Sequence, residues 1–363
     1  MSLLSEILLA TNLPPAAAID GELPANRAPA ISRIAACLTP EELIELENLA
    51  HSHHVLMRTF PRLQQFLKLE GNSQSAEWAE AVIAKEHTRV QNALSFLDPI
   101  CTALSAAGNV VVIKSLDHWP DLGSDLDLFT DAPSQHVVAI MRRAFGAEPA
   151  RQSWGDRLAN KWNFVVPELP ELVEVHVGRL GQTGEQIATA KSLVVCAQSR
   201  EISGYTFRVA APEERLLIST LQRMYRHFYI RLCDIVDNAK LIESEVIDYA
   251  YLRMLAVTAG LWEGLATYLK IVADYVRLFT CATLPLPSQV ENGAMFGGEE
   301  VFFRKPYIRI PLLPHAARLY ASELKRLLLN GEIANSLRLS LLPGLATAAA
   351  LEFRWTGSDK GIW

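Results

Sequence analysis

Val110-Val111-Val112-Ile113-Lys114-Ser115, then nine residues, then Asp125-Leu126-Asp127-Leu128-Phe129 is the stretch that decides the fold. The β-branched run follows the turn signal Gly108-Asn109 and reads as a buried strand. In the second strand, side chains alternate between faces, so Asp125 and Asp127 project together while Leu126 and Leu128 enter the core. Two carboxylates held side by side repel each other unless a cation lies between them. Hard oxygen donors of this kind suit Mg²⁺ (or Mn²⁺), which keeps waters and takes phosphate oxygens as further ligands. Upstream, Lys114 ends a strand, where it can meet a phosphate as a point charge. The Ser115 hydroxyl and the Gly123-Ser124 backbone are further candidate phosphate contacts, glycine permitting a close approach.

Working outward, Leu172-Val173-Glu174-Val175-His176-Val177 alternates in the same way and puts Glu174 and His176 on one face. Glu174 supplies the third carboxylate that a metal site calls for. The pattern further predicts a helix over 134–145 and strands over 163–166 and 206–209. Together these give an α/β (α+β) core over residues 106–212. Helical regions flank it over 1–105 and 213–363. Thr39-Pro40-Glu41-Glu42 and Ala211-Pro212-Glu213-Glu214 each have proline and acids where a helix starts. Helical periodicity also covers 75–107, 231–241, 245–280 and 313–352, the last with a break near Pro343-Gly344. Residues 285–298 read as a loop. Residues 1–30, punctuated by Pro14, Pro15, Pro24 and Pro29, read as a loose arm with one short helix.

The arrangement resembles the DNA polymerase β-like nucleotidyltransferase superfamily. That pattern has a hydrophobic residue, Gly, and Gly or Ser, then a spacer, Asp-x-Asp or Asp-x-Glu, and a third acid on a later strand. Ile113-Lys114-Ser115, the nine-residue spacer and Asp125-Leu126-Asp127 follow it, with Lys114 where the first Gly stands. The chain looks more particularly like an uncharacterised bacterial branch that has Lys-Gly, a proline-containing loop and Asp-Ile-Asp-Leu-Leu. Here that becomes Lys114-Ser115, Pro120 and Asp125-Leu126-Asp127-Leu128-Phe129. A Val-Asp-Leu-His-like strand, a Pro-Glu-x-x-Leu-Leu helix and an Arg- and Asp-containing helix are matched by residues 173–176, 212–217 and 231–237. The resemblance spans roughly residues 85–245. It implies a nucleotidyltransferase-type mixed sheet. It also implies transfer of a nucleoside monophosphate from a triphosphate, ATP first among them, to an unknown acceptor. Asp125, Asp127 and Glu174 would be metal ligands and catalytic residues, with Glu174 helping to deprotonate the acceptor. Lys114, Ser115, Gly123 and Ser124 would bind nucleotide. The alternative is a member that kept the fold as a binding or regulatory module. No Walker or kinase loop supports a third possibility, γ-phosphate transfer.

A formal net charge of -6 argues against extended nucleic-acid binding. The five cysteines lack zinc-ligand spacing and read as buried thiols of a reducing compartment. No apolar run reaches membrane-spanning length, the nearest being 339–351, so a soluble, cytoplasmic protein is expected. Several other residues read as structural. His51, His53 and His54 look like a solvated helix face, and Asp117 and Asp121 like turn-fixing residues around Pro120. Tyr225, His227, Phe228 and Tyr229 look like packing, and Asp234 and Asp237 like buttresses acting through Arg231. His176 reads as a supporting residue, and Glu174 has a rival reading as a surface partner of Arg179 or Arg157.

Overall fold

The computed structural model describes residues 1–12, 27–244, 246–304 and 306–356. A seven-stranded sheet lies at the centre, in the order β3-β4-β5-β2-β1-β7-β6. Its strands are β1 (Val110–Val112), β2 (Asp125–Thr130), β3 (Glu148–Pro149), β4 (Lys161–Val165), β5 (Leu172–Val177), β6 (Gln198–Ile202) and β7 (Tyr205–Val209). The pairs β2–β5 and β1–β7 are parallel and the others antiparallel, so the sheet is mixed. The expected α/β class is therefore found.

Alternation decides the layering. Leu126, Leu128, Val173 and Val175 bury one face of the sheet in a core with Val90, Leu94, Leu97 and Ile100 of the long Ser73–Ser105 helix and Val137 and Met141 of the Ser134–Phe145 helix. On the other face, Val111, Ile113 and Phe129 meet Leu180, Leu193 and Ile218 in a smaller cluster. That cluster stops short of Asp125 and Asp127, which stay half-buried at the open end of β2.

Both helical flanks feed one core. Leu4 and Leu8 pack with Phe60, Leu63, Leu232, Ile235, Leu265 and Leu269. The short helix expected within residues 1–30 is found as Ser2–Asn12, but it is not loose: Leu4 and Leu8 are fully buried and Ser5 Oγ lies 2.8 Å from Tyr275 Oη. Pro29 lies in a second helix, Arg27–Ala36, while Pro14, Pro15 and Pro24 fall outside the described residues. A short three-stranded sheet, β8 (Tyr229–Ile230), β9 (Phe302–Arg304) and β10 (Tyr307–Arg309), was not foreseen. The 285–298 loop contains a helical turn, Ser288–Gly293. The expected break near Pro343-Gly344 is found at Leu341, between the Ile333–Ser340 and Leu342–Thr356 helices, with Pro343 in the first turn of the second. Of the thiols, Cys233 is buried, Cys101 and Cys196 are half-buried, and Cys37 and Cys281 are exposed, so the expectation of five buried thiols fails. Among the described residues, no helix is long and apolar enough to cross a membrane.

Candidate active site

Register assembles the acidic side. Asp127 stands directly opposite Glu174 across the parallel β2–β5 pair, so both carboxylates leave the same face. Opposite them the chain leaves β1 through Lys114, whose φ is +59°. That is the left-handed region glycine adopts most readily. Ser115 then clasps β2, its Oγ donating to the Asp125 carbonyl at 3.1 Å and accepting from the Asp127 N–H at 2.7 Å.

The side chains form a charge lattice. The Lys114 ammonium contacts Asp127 Oδ1 closely and lies 3.3 Å from Glu174 Oε1. Lys161 Nζ lies 2.9 Å from both Glu174 Oε2 and Asp156 Oδ1. His176 Nε2 donates to Glu174 Oε1 at 2.8 Å, and its Nδ1 is buried without a hydrogen-bond partner. Burial, then the charge of Glu174, pushes the Asp127 carboxyl up, against the pull of Lys114. Burial acts the same way on Glu174, but Lys114, His176 and Lys161 overcome it and hold that carboxyl well below its usual range. Burial pushes Asp125 up, with Glu174 adding to the effect. Burial also lowers His176 to about 4, so the imidazole is neutral at physiological pH.

The basic side comes from a π-helix, Leu221–His227, and the segment after it. Such widened turns recur at functional sites. Arg223, Arg226, His227, Tyr229 and Arg231 all line the cavity that the three acids face. Arg223 is almost fully buried and pairs with Asp234 at 2.7 Å. Arg231 Nη1 donates to His54 Nε2 at 2.6 Å. Half-buried Arg226 has no hydrogen-bonded or ion-paired partner among the described residues.

A buried brace carries this side. Arg58 bonds Asp121 at 2.8 Å and Asp237 at 2.6 Å, and Asp237 also accepts from His118 Nδ1 at 2.5 Å. Asp121 therefore grips the Leu56–Leu69 helix, accepting from the Met57 N–H at 2.7 Å as well, and does not fix a turn. Asp117 pairs with Arg215 at 2.8 Å. Asp234 and Asp237 are buttresses as expected, Asp234 through Arg223 and the Arg231 backbone N–H. The solvated-face reading of the histidines holds for His51 and fails for the other two. His53 is fully buried and accepts from the Leu232 N–H at 3.0 Å, while His54 lines the cavity and stacks on His118. Glu174 pairs with neither Arg179 nor Arg157, which face Gly184 and Trp154.

Asp125, Asp127, Glu174, Lys114, Ser115, Gly123 and Ser124 all reach one cavity of about 160 Å³. Three of them take a different part from the one expected. The Lys114 ammonium is engaged by Asp127 and Glu174. The Ser115 hydroxyl is engaged by β2. Gly123 has an ordinary φ, and a Cβ there would make only ordinary contacts, with the Asp125 carbonyl oxygen at 3.7 Å and the Asp125 nitrogen at 4.0 Å, so the chain itself does not require glycine. Missing from the sequence reading were Arg223, Arg226, His118 and Lys161, while Arg231 and His54 were read only as structural. The one available signal was the density of basic residues over 223–231.

A divalent ion suits the donors present. An oxygen from each of Asp127 and Glu174 and a nitrogen of His176 lie within 4.8 Å of one another, and Asp125 follows on the same face of β2. The Lys114 ammonium, lying between Asp127 and Glu174, marks the cluster's demand for positive charge. No family model, curated protein or solved structure matches the chain.

Proposed function

We propose that the chain is a metal-dependent nucleotidyltransferase of the DNA polymerase β-like kind, acting on ATP or another nucleoside triphosphate and an acceptor of its own. The observation that carries this reading is the two-sided cavity, with Asp125, Asp127 and Glu174 on one side and three arginines on the other. Asp125, Asp127 and Glu174 would hold Mg²⁺ or Mn²⁺, with His176 behind Glu174. Bound there, the ions would supply Lewis-acid stabilisation of the charge on the transferring phosphoryl group. Arg226, with a free guanidinium, would bind phosphate oxygens in its planar fork. Arg223 and Arg231 are tied back and would contribute field and shape. In the reaction an acceptor hydroxyl oxygen bonds to the α-phosphorus, and the bond to the α–β bridging oxygen breaks. Pyrophosphate leaves with that oxygen, and the proton passes to the acidic side. There Glu174 would help to draw the proton from the acceptor. Incubation with α-labelled and γ-labelled ATP and cell extract tests this: label should enter an acceptor from the α-position alone. Transfer from the γ-position would overturn it.

Arg226→Ala should weaken triphosphate binding by about 1–3 kcal/mol, the range for a lost hydrogen bond to a charged group. Calorimetric titration of ATP at fixed ionic strength checks this, and unchanged affinity would remove Arg226 from the phosphate site.

A second reading is a non-catalytic binding or regulatory module. It is favoured by the Lys114 ammonium, which already bridges Asp127 and Glu174. Lys114→Ala separates the two. In an enzyme, wild type and variant both bind Mn²⁺, the variant more tightly because a competing cation is gone. In a module whose lysine replaces the metal, wild type fails to bind Mn²⁺ and the variant gains it.

A further inference from the structure

Behind the π-helix the C-terminal helices enclose a larger cavity, of about 570 Å³. Phe228, Leu312, Tyr320, Leu339 and Leu342 give it largely apolar walls. That volume is in the range of about 300–1,000 Å³ typical of small-molecule pockets. It is not isolated. Gln182, Glu185, Tyr225 and Arg226 line it and also a narrow passage that continues to Lys114 and His176. Arg226 and His227 belong to the walls of both this cavity and the acidic cleft, so the last turn of the π-helix separates the two spaces.

Two carboxylates interrupt the apolar lining. Glu185 is 3% exposed and Glu323 1% exposed. Glu185 is satisfied locally, accepting from the Gln182 and Thr183 N–H groups at 3.2 and 2.8 Å and from Thr183 Oγ1 at 3.0 Å. Glu323 accepts from Gln186 Nε2 at 2.6 Å. Among the described residues neither has a cation at ion-pair distance, and burial, joined at Glu323 by the charge of Glu185, pushes both carboxyls up, Glu323 well above its usual range. A carboxyl buried in this way either keeps its proton or meets a positive charge. Leucine or glutamine would fill the same space without that constraint. A ligand that brings a cation satisfies it.

We propose that this cavity holds the acceptor, a small molecule with an apolar body and one protonated amine, the amine seated at Glu323 and Glu185. The assignment rests on the nucleotidyltransferase reading of the neighbouring cleft. From that seat the far end of the ligand points along the passage beside Arg226 toward Asp127. Charge, size and connection thus specify a chemical class: neutral analogues lack the ammonium that the two carboxyls can pair with, and anionic ones bring charge of the wrong sign.

The test is calorimetric titration of the full-length protein with tryptamine, its neutral counterpart 3-ethylindole, and indole-3-propionate. Tryptamine should bind at least tenfold more tightly than 3-ethylindole, with indole-3-propionate weakest. Glu323→Gln should erase the preference for the amine. Because the amide fills the same volume and removes an ionisable group from a buried site, its melting temperature should not fall, which separates lost preference from lost folding. Ala346→Trp, projecting from the cavity wall, should abolish binding of all three. Equal binding of tryptamine and 3-ethylindole, no saturable binding, or a preference that survives Glu323→Gln overturns the proposal. Mn²⁺ binding is measured on the same preparations. Mn²⁺ binding without amine preference removes the acceptor pocket and leaves the cleft reading standing. Amine preference without Mn²⁺ binding removes the acceptor role.

Discussion

The Asp125→Asn, Asp127→Asn double variant should lose saturable Mn²⁺ binding. It should also lose at least about a thousandfold in nucleotide transfer, several kcal/mol of transition-state charge stabilisation. Its fold should survive. Both carboxylates sit at the open end of β2, outside either core, and their amides occupy the same volume. The change also removes like-charge repulsion with Glu174, which keeps Lys114, Lys161 and His176 as partners. The variant is therefore expected to melt within a few degrees of wild type. Electron paramagnetic resonance of Mn²⁺ gives the binding, and label transfer from α-labelled ATP gives the activity. Wild-type Mn²⁺ affinity in the double variant would sink the metal assignment.

Arg58→Met should have the largest effect on stability, about 3–5 kcal/mol, the usual cost of breaking a buried ion pair from one side. Arg58 is almost fully buried, and its guanidinium joins three distant segments. It lies on the Leu56–Leu69 helix, bonds Asp121 in the connection between β1 and β2, and bonds Asp237 of the Leu232–Glu243 helix. Methionine fills the volume but leaves both carboxylates without their cation. Lysine should recover part of the loss, because a point charge cannot bond two carboxylates with a planar fork. Adding Asp121→Asn and Asp237→Asn to Arg58→Met should recover more than either aspartate change alone. Urea unfolding of the series measures these differences. A cost below about 1 kcal/mol for Arg58→Met, the size of an exposed pair, would mean that the brace is not structural.

The parts of the site that follow from local pattern were legible in the sequence. Asp125-Leu126-Asp127 and Val173-Glu174-Val175 each alternate with buried residues, so period two fixed their faces. Their direct pairing required only that β2 and β5 be neighbours. The helix over 134–145 ended where expected, at Gly146 in the left-handed conformation. The basic side was not legible, because its residues are defined by partners far away in the chain. His53 and His54 look like a polar helix end until Leu232 and Arg231 arrive from the other end of the molecule. Arg223 looks like a helix-surface residue until Asp234 buries it. The same is true of Ser5, whose partner Tyr275 turns an unremarkable first helix into part of the core. Short strands such as β3 and β8 leave almost no periodic signal, since two residues cannot alternate meaningfully.

The π-helix has a consequence for how such a chain can diverge. Each residue of an ordinary helix turns the chain by about 100°, and a π-turn accommodates one residue more than an α-turn does. Deleting a single residue between Leu221 and Met224 would let the segment relax into an α-helix. Arg226 and His227 would then rotate away from the acidic cleft, while every strand of the sheet kept its register. Loss of one codon would thus withdraw Arg226 from the cleft and reshape the partition between cleft and apolar cavity in the same step. Insertion at the homologous place in an α-helical relative would do the reverse. The shape of both spaces is therefore open to change by length variation inside a buried helix, a kind of variation ordinarily tolerated only in surface loops.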